Sequence, residues 1–173
     1  ETVTITITGS NDAPVITDGP DSAGLTETNG TLTSTGTLTV TDHDTTDLVT
    51  ATVDSLLVGG TSDRTDPVAP SDLELQAMLS LTPGAILDGT ETTNSLTWNF
   101  DSGTETFDYL AAGETLVLQY TIKAEDDAGT PLSDTETVTI TITGSNDTPI
   151  ITDGPDSAGL TAVSYTHLRA HET

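Results

Sequence analysis

The sequence predicts an all-β protein, an antiparallel β-sandwich carrying one short inserted helix. Short runs alternate apolar residues with threonine, the period of a half-buried strand. Clusters of Gly, Asn, Asp and Pro separate those runs, as turns between strands require. One stretch alone, residues 69–84, carries a helix-start signal.

The runs follow in order along the chain. "TVTITIT" sets Val3, Ile5 and Ile7 on one face, and the same letters return at Val138, Ile140 and Ile142. "TLTSTGTLTVT" aligns Leu32, Leu38 and Val40, and "LVTATV" covers 48–53. "SLTWNF" aligns Leu96, Trp98 and Phe100, which makes Trp98 a core residue rather than a sugar-stacking platform; "TLVLQYTIKA" aligns Leu116, Leu118, Tyr120 and Ile122. Threonine fills the outward positions because β-branched side chains suit a pleated surface. Several such strands with turns between them make a sandwich. In "APSDLELQAMLSLTPG", Ser71 with Glu74 forms a capping box; Leu75, Met78 and Leu79 then share a helical face, and Pro83-Gly84 closes a helix over about 72–80. The preceding "VGGTSDRTDPVAP" is a loop.

A longer repeat overlies this pattern. Residues 1–26 return at 136–161, differing only at Ala13/Thr148 and Val15/Ile150. That period is too long for a solenoid turn and suits one domain. Residues 1–8 are read as the last strand of a preceding unit and 9–13 as a junction. Residues 14–143 make one complete unit, and 144–161 hold the next junction and a truncated start. The final "AVSYTHLRAHET", 162–173, breaks the pattern and reads as a non-native, adapter-like tail. Opening without Met or a leader, the chain reads as an internal fragment of a tandem array.

Charge narrows the partners. With 28 acidic against 3 basic residues and a net charge of −25, the chain repels nucleic acid and anionic membranes. It attracts divalent cations, and calcium prefers carboxylate oxygens. Cysteine is absent, so disulfides and thiolate metal sites are excluded. No apolar run reaches the length of a membrane span, so no membrane insertion is expected.

Strand direction sorts the acids into two sets. Antiparallel strands deliver their ends alternately to two poles. If strands 31–40 and 115–123 point the same way, Asp42, Asp44 and Asp126 meet the incoming Asn11-Asp12 at one pole. Glu27, Asp108 and the outgoing Asn146-Asp147 then gather at the other. A bare carboxylate cluster repels itself; a calcium ion with six to eight oxygen ligands turns that repulsion into cross-linking.

The stretch "FDYLAAGETLVLQYTIKAEDDAGTPLSDTETVTITITGSNDTP" resembles the VCBS repeat of large bacterial secreted proteins and is more distantly similar to cadherin repeats. The resemblance spans residues 1–161. It implies a cadherin- or immunoglobulin-like sandwich in an extracellular or cell-surface bacterial adhesin, engaged in cell adhesion or biofilm formation, with adjacent repeats of the same chain as partners and calcium at the junctions. By motif it carries acidic ligand roles to Glu27 in "LTE", Asp42 and Asp44 in "TDHD", Asp108 in "FDYL" and Asp126 in "AEDDAG". The chain departs from the cadherin junction at Gly9 and Gly144, where an aspartate would precede Asn-Asp, and "FDYL" lacks a final glutamate. Fewer carboxylates imply a weaker site or one ion instead of three.

No catalytic set is expected. "DHDTTD" fails as an EF-hand, with Asp47 and Val53 where Gly and Glu belong. His43, the one histidine before the tail, has no second histidine to share a zinc site, and neither a Ser-His-Asp triad nor a phosphate loop is expected. The alternative to an array spacer is a module binding a polysaccharide or a cell surface through the helix and its loop.

Overall fold

The computed structural model describes residues 1–82, 84–149, 154 and 159–161. Pro83, most of the truncated next unit and the adapter-like tail 162–173 lie outside the described residues.

The strands are β1 (Val15–Thr17), β2 (Asp21–Thr26), β3 (Thr33–Thr41), β4 (Leu48–Gly60), β5 (Leu79–Thr82), β6 (Ala85–Asp88), β7 (Thr93–Asp101), β8 (Thr115–Asp126) and β9 (Ser133–Thr143), with one helix, α1 (Asp72–Ala77). They form two sheets, β1-β3-β7-β5 and β2-β9-β8-β4-β6. Among the described residues the chain adopts the expected all-β sandwich with a single short helix.

Alternation sets the core. In β8, Leu116, Leu118, Tyr120, Ile122 and Ala124 point inward and are fully buried, as are Val138, Ile140 and Ile142 of β9. These two strands run antiparallel in unbroken register from Thr115↔Thr143 to Glu125↔Ser133. Opposite them lie Leu38 and Val40 of β3 and Leu96, Trp98 and Phe100 of β7. Trp98 is 1% exposed, and its indole N–H donates to Asp21 Oδ2 at 2.8 Å, so the buried ring keeps its polar edge satisfied.

The structure departs from the sequence expectation in three places. β2 pairs with β9 in parallel, because the chain crosses from one sheet to the other between β1 and β2 without reversing direction. The helix stops at Ala77 with Met78 as its cap, so it is shorter than 72–80, and Leu79 opens β5 instead. "LSLT" alternates, and it gains a full ladder against β7, from Leu79↔Phe100 to Thr82↔Thr97. β4 runs past residue 53 to Gly60; a register shift between Val53 and Ser55 breaks the alternation that would have revealed it.

The capping box is formed: the Glu74 amide donates to Ser71 Oγ at 3.3 Å, and Glu74 Oε2 accepts from the Ser71 amide at 2.8 Å. The helix covers the gap between the sheets beside β4. Leu75 is fully buried, and the Tyr120 hydroxyl donates to the Leu75 carbonyl at 2.7 Å. Burial raises the Tyr120 phenol far above its ordinary range. No helix among the described residues is long and apolar enough to cross a membrane.

Residues 1–8 belong to neither sheet, with Val3, Ile5 and Ile7 exposed by 84%, 81% and 90%. The same letters are therefore core in one place and solvated in another. Ile140→Ala is expected to cost about 2–5 kcal/mol of unfolding free energy, whereas Ile5→Ala should change it by less than about 0.5 kcal/mol. Chemical denaturation of the two variants checks both.

Candidate metal centres at the two poles

β3 and β8 end at the same pole, and this collects the first set of acids. Asp42, Asp47 and Asp126 each offer a carboxylate oxygen, all within 4.8 Å of one another. Asp42 and Asp126 are buried, 2% and 3% exposed. Asp126 is held in place by its own turn: its carboxylate accepts the amides of Ala128 at 3.1 Å and Leu132 at 3.2 Å. Asp42 Oδ1 accepts the Asp44 amide at 2.9 Å, an Asx turn that starts the loop.

Asp47 is the residue that sequence reasoning passed over. Its amide bonds the Asp44 carbonyl at 3.1 Å, closing a turn that swings Asp47 back towards Asp42. The only signal was "TDHDTTD" itself, where Asp47 closes the same acidic run. Asp44 lies outside the triad and serves the junction: its Oδ2 accepts the Asp12 amide at 2.6 Å. Asn11 donates from Nδ2 to Asp126 Oδ2 at 3.1 Å. So Asn11, Asp12, Asp42, Asp44 and Asp126 meet at one pole as expected, with Asp12 engaged through its backbone. An open groove lined by Asn11, Asp44, Asp47 and Gly129 leads in from solvent.

The second pole is built from the ends of β2 and β9. Their parallel pairing carries Glu27 beside residue 143, and the Glu27 amide donates to the Thr143 carbonyl at 2.8 Å. Glu27, Asp108 and Asp147 also place carboxylate oxygens within 4.8 Å of one another. Glu27 is 1% exposed, while Asp108 and Asp147 are exposed. Ser145 latches the outgoing chain here, donating from its amide at 3.0 Å and its hydroxyl at 2.8 Å to Glu27 Oε2. Asn146 turns away and donates to the Asp147 carbonyl at 3.5 Å. Gly144 is buried where a Cβ would fall on the Leu110 and Ala111 carbonyl oxygens, so no larger residue fits there.

Electrostatically, both sets are unbalanced. Loss of water raises the Asp47 carboxyl above the ordinary aspartate value, helped by Asp44, Asp42 and Asp126 and opposed by the Thr46 hydroxyl. Asp147 is raised by loss of water and by Glu27 and Asp108. No cation balances either set: among the described residues the ion pairs are Arg64–Asp72 and Lys123–Glu125, both elsewhere. Glu27 Oε1 and Asp42 Oδ2 are buried without a hydrogen-bond partner. A buried carboxylate oxygen normally has a partner, so each set fits a hard cation: three carboxylates, unbalanced negative charge and at least one buried oxygen without a partner.

Comparison with known proteins leaves the family open. No family model matches, and no curated protein matches. Thirty chains of solved structures match by shape. The ASH/PapD-like domain of human CEP192 covers 84% of this chain and 96% of its own at 12% identity and a TM-score of 0.49. The CooA pilin subunit of enterotoxigenic Escherichia coli covers 78% of this chain and 100% of its own at 10% identity and a TM-score of 0.46. The AggA fimbrial subunit of Escherichia coli covers 80% and 98% at 14% identity and a TM-score of 0.36. Likeness at this level carries no argument about activity or partners.

The raised carboxyls set a pH dependence. An acid whose folded pKa exceeds its unfolded value costs stability when ionised in both states. That cost is present above the folded pKa and relieved as pH falls towards the ordinary value of 3.8. Asp47→Asn should therefore raise the metal-free denaturation midpoint at pH 7, and the gain should disappear by about pH 4. Urea titrations at several pH values with chelator present measure it.

Proposed function

We propose that the chain is a spacer unit of a tandem β-sandwich array on a secreted or surface protein, with calcium at its junctions setting the stiffness. One observation carries this. The junction "GSND" occurs at both ends of the unit and is seen in two complementary uses. Leaving the unit, Ser145 bonds Glu27, and Asp147 joins Glu27 and Asp108. Entering it, Asn11 bonds Asp126, and the Asp12 amide bonds Asp44.

Because the two copies are identical in sequence, each junction performs both uses at once. Its serine and aspartate face the unit it leaves, while its asparagine and backbone face the unit it enters. Ser to Asp spans two residues, about 7 Å at most. The two acid sets, one from each neighbour, are thereby brought to a single short peptide. Uncompensated, they would push the units apart. Calcium, which takes six to eight oxygens, would hold Glu27, Asp108 and the junction aspartate of one unit against Asp42, Asp47 and Asp126 of the next. Metal ligation across a junction removes its freedom to bend.

The role is structural rather than catalytic, and its partners are the neighbouring repeats. Adhesion or biofilm formation, implied by the VCBS resemblance, fits a stalk that carries a binding tip outward.

Two consecutive units joined by one "GSND" should be long and narrowly distributed in shape with calcium, and shorter and more varied with chelator. Small-angle X-ray scattering reads both. Changing the central junction aspartate to Asn should abolish the difference. An identical scattering curve in calcium and chelator would refute the stiffening role.

A further inference from the structure

We infer that residues 1–10 of one copy can take the β9 place in a second copy, giving a strand-exchanged dimer. Residues 1–10, "ETVTITITGS", repeat residues 136–145 letter for letter. The latter fill most of β9 and its latch, in a sheet where β9 lies between β2 and β8.

Residues 136–143 of β9 and the latch that follows are present in the duplicate, whereas Ser133, Asp134 and Thr135 have no counterpart there, and with them the Asp134 carboxylate that accepts the Ile16 amide at 2.9 Å. Val138, Ile140 and Ile142 fill the core, and Val3, Ile5 and Ile7 correspond to them. The Glu136 side chain lies against Gly19, and Glu1 corresponds. Gly144 fits against the Leu110 and Ala111 carbonyls where no Cβ could, and Gly9 corresponds. Ser145 locks the end to Glu27, and Ser10 corresponds. The backbone ladder to β8 and β2 is indifferent to which copy supplies it.

A chain cannot use its own duplicate. Asn11 is bonded to Asp126 at the pole where β9 begins, whereas Gly9 would have to sit where β9 ends. β9 has 11 residues, a length of roughly 36 Å. The two residue steps from Gly9 to Asn11 reach about 7 Å. The occupant is therefore the segment of a second copy, the donor-strand mode of recognition.

Exchange replaces residues 136–145 by their identical twin, so the buried Val138, Ile140 and Ile142, the ladder from Ile122↔Glu136 to Thr115↔Thr143 and the latch are conserved. What differs is tethering. The native β9 follows β8 through residues 127–132 and competes at an effective concentration in the millimolar range or above. The exchanged form should thus rise with protein concentration and be favoured by refolding in crowded solution, the usual setting for swaps between repeats.

The chain has no cysteine, so a covalent trap is clean. In the exchanged dimer Thr4 stands where Thr139 stands, opposite Gln119. The full chain carrying Thr4→Cys and Gln119→Cys, refolded at increasing concentration with oxidised glutathione, should yield a disulfide-linked dimer whose fraction grows with concentration. Thr139→Cys with Gln119→Cys, closing within one chain, shows that the pair can be bridged. Adding Ile5→Asp and Ile7→Asp to the first pair should remove at least about nine-tenths of the dimer and leave the unfolding midpoint unchanged, since both residues are exposed. Absence of dimer under conditions where the control pair closes, or dimer undiminished by the Asp substitutions, would overturn the inference.

Discussion

β3 and β8 run in the same direction in facing sheets, and much of the chemistry follows from that constraint. Their ends bring Asp42 and Asp126 to one pole, while the strands that return bring Glu27 and residue 143 to the other. Asp126 closes β8, and Glu27 and Asp42 follow directly on β2 and β3, so these three carboxylates are held by strand ends. Glu27 and Asp42 are buried, each with one oxygen hydrogen-bonded and one that bonds nothing. A fold that holds like charges together in this way is suited to a ligand of opposite sign.

The same geometry makes the unit's two ends complementary. Ser145 and Asn11 belong to equivalent junctions, yet they grip different surfaces, one the outgoing Glu27 and the other the incoming Asp126. In the proposed array, a short junction gripping both neighbours would fix their spacing. Its glycine is part of this, since Gly144 lets the chain pass against the Leu110 and Ala111 carbonyls on its way out. The sandwich core and the junction are thus coupled through the end of β9, whose inner face is fully buried.

Long strands were legible because alternation persists: β3, β7, β8 and β9 announce themselves through Leu38, Trp98, Tyr120 and Ile140. β1, β2, β5 and β6 span three to six residues, too few for a period of two to stand out from turn composition. β4 was cut short in prediction by its bulge, and the helix was overextended because Met78 and Leu79 suit a helical face as well as a strand start. At the sites, strand direction was enough to sort the acids by pole. Which acid of "TDHDTTD" turns inward was beyond it, since a turn from Asp44 to Asp47, not strand periodicity, decides that. Ser145 was missed for a related reason: its role depends on the parallel pairing of β2 with β9, a contact between residues distant in sequence.

Specific ligation and general charge screening separate most directly in the calcium dependence of the thermal unfolding temperature, taken at constant ionic strength for the native chain and for Asp42→Asn. With ligation by the polar sets, the native chain should gain stability that follows the logarithm of calcium concentration, and the variant should lose most of that gain. Equal stabilisation by sodium chloride at matched ionic strength, or an unchanged calcium response in the variant, would contradict it and leave the acidity as a solubilising surface charge.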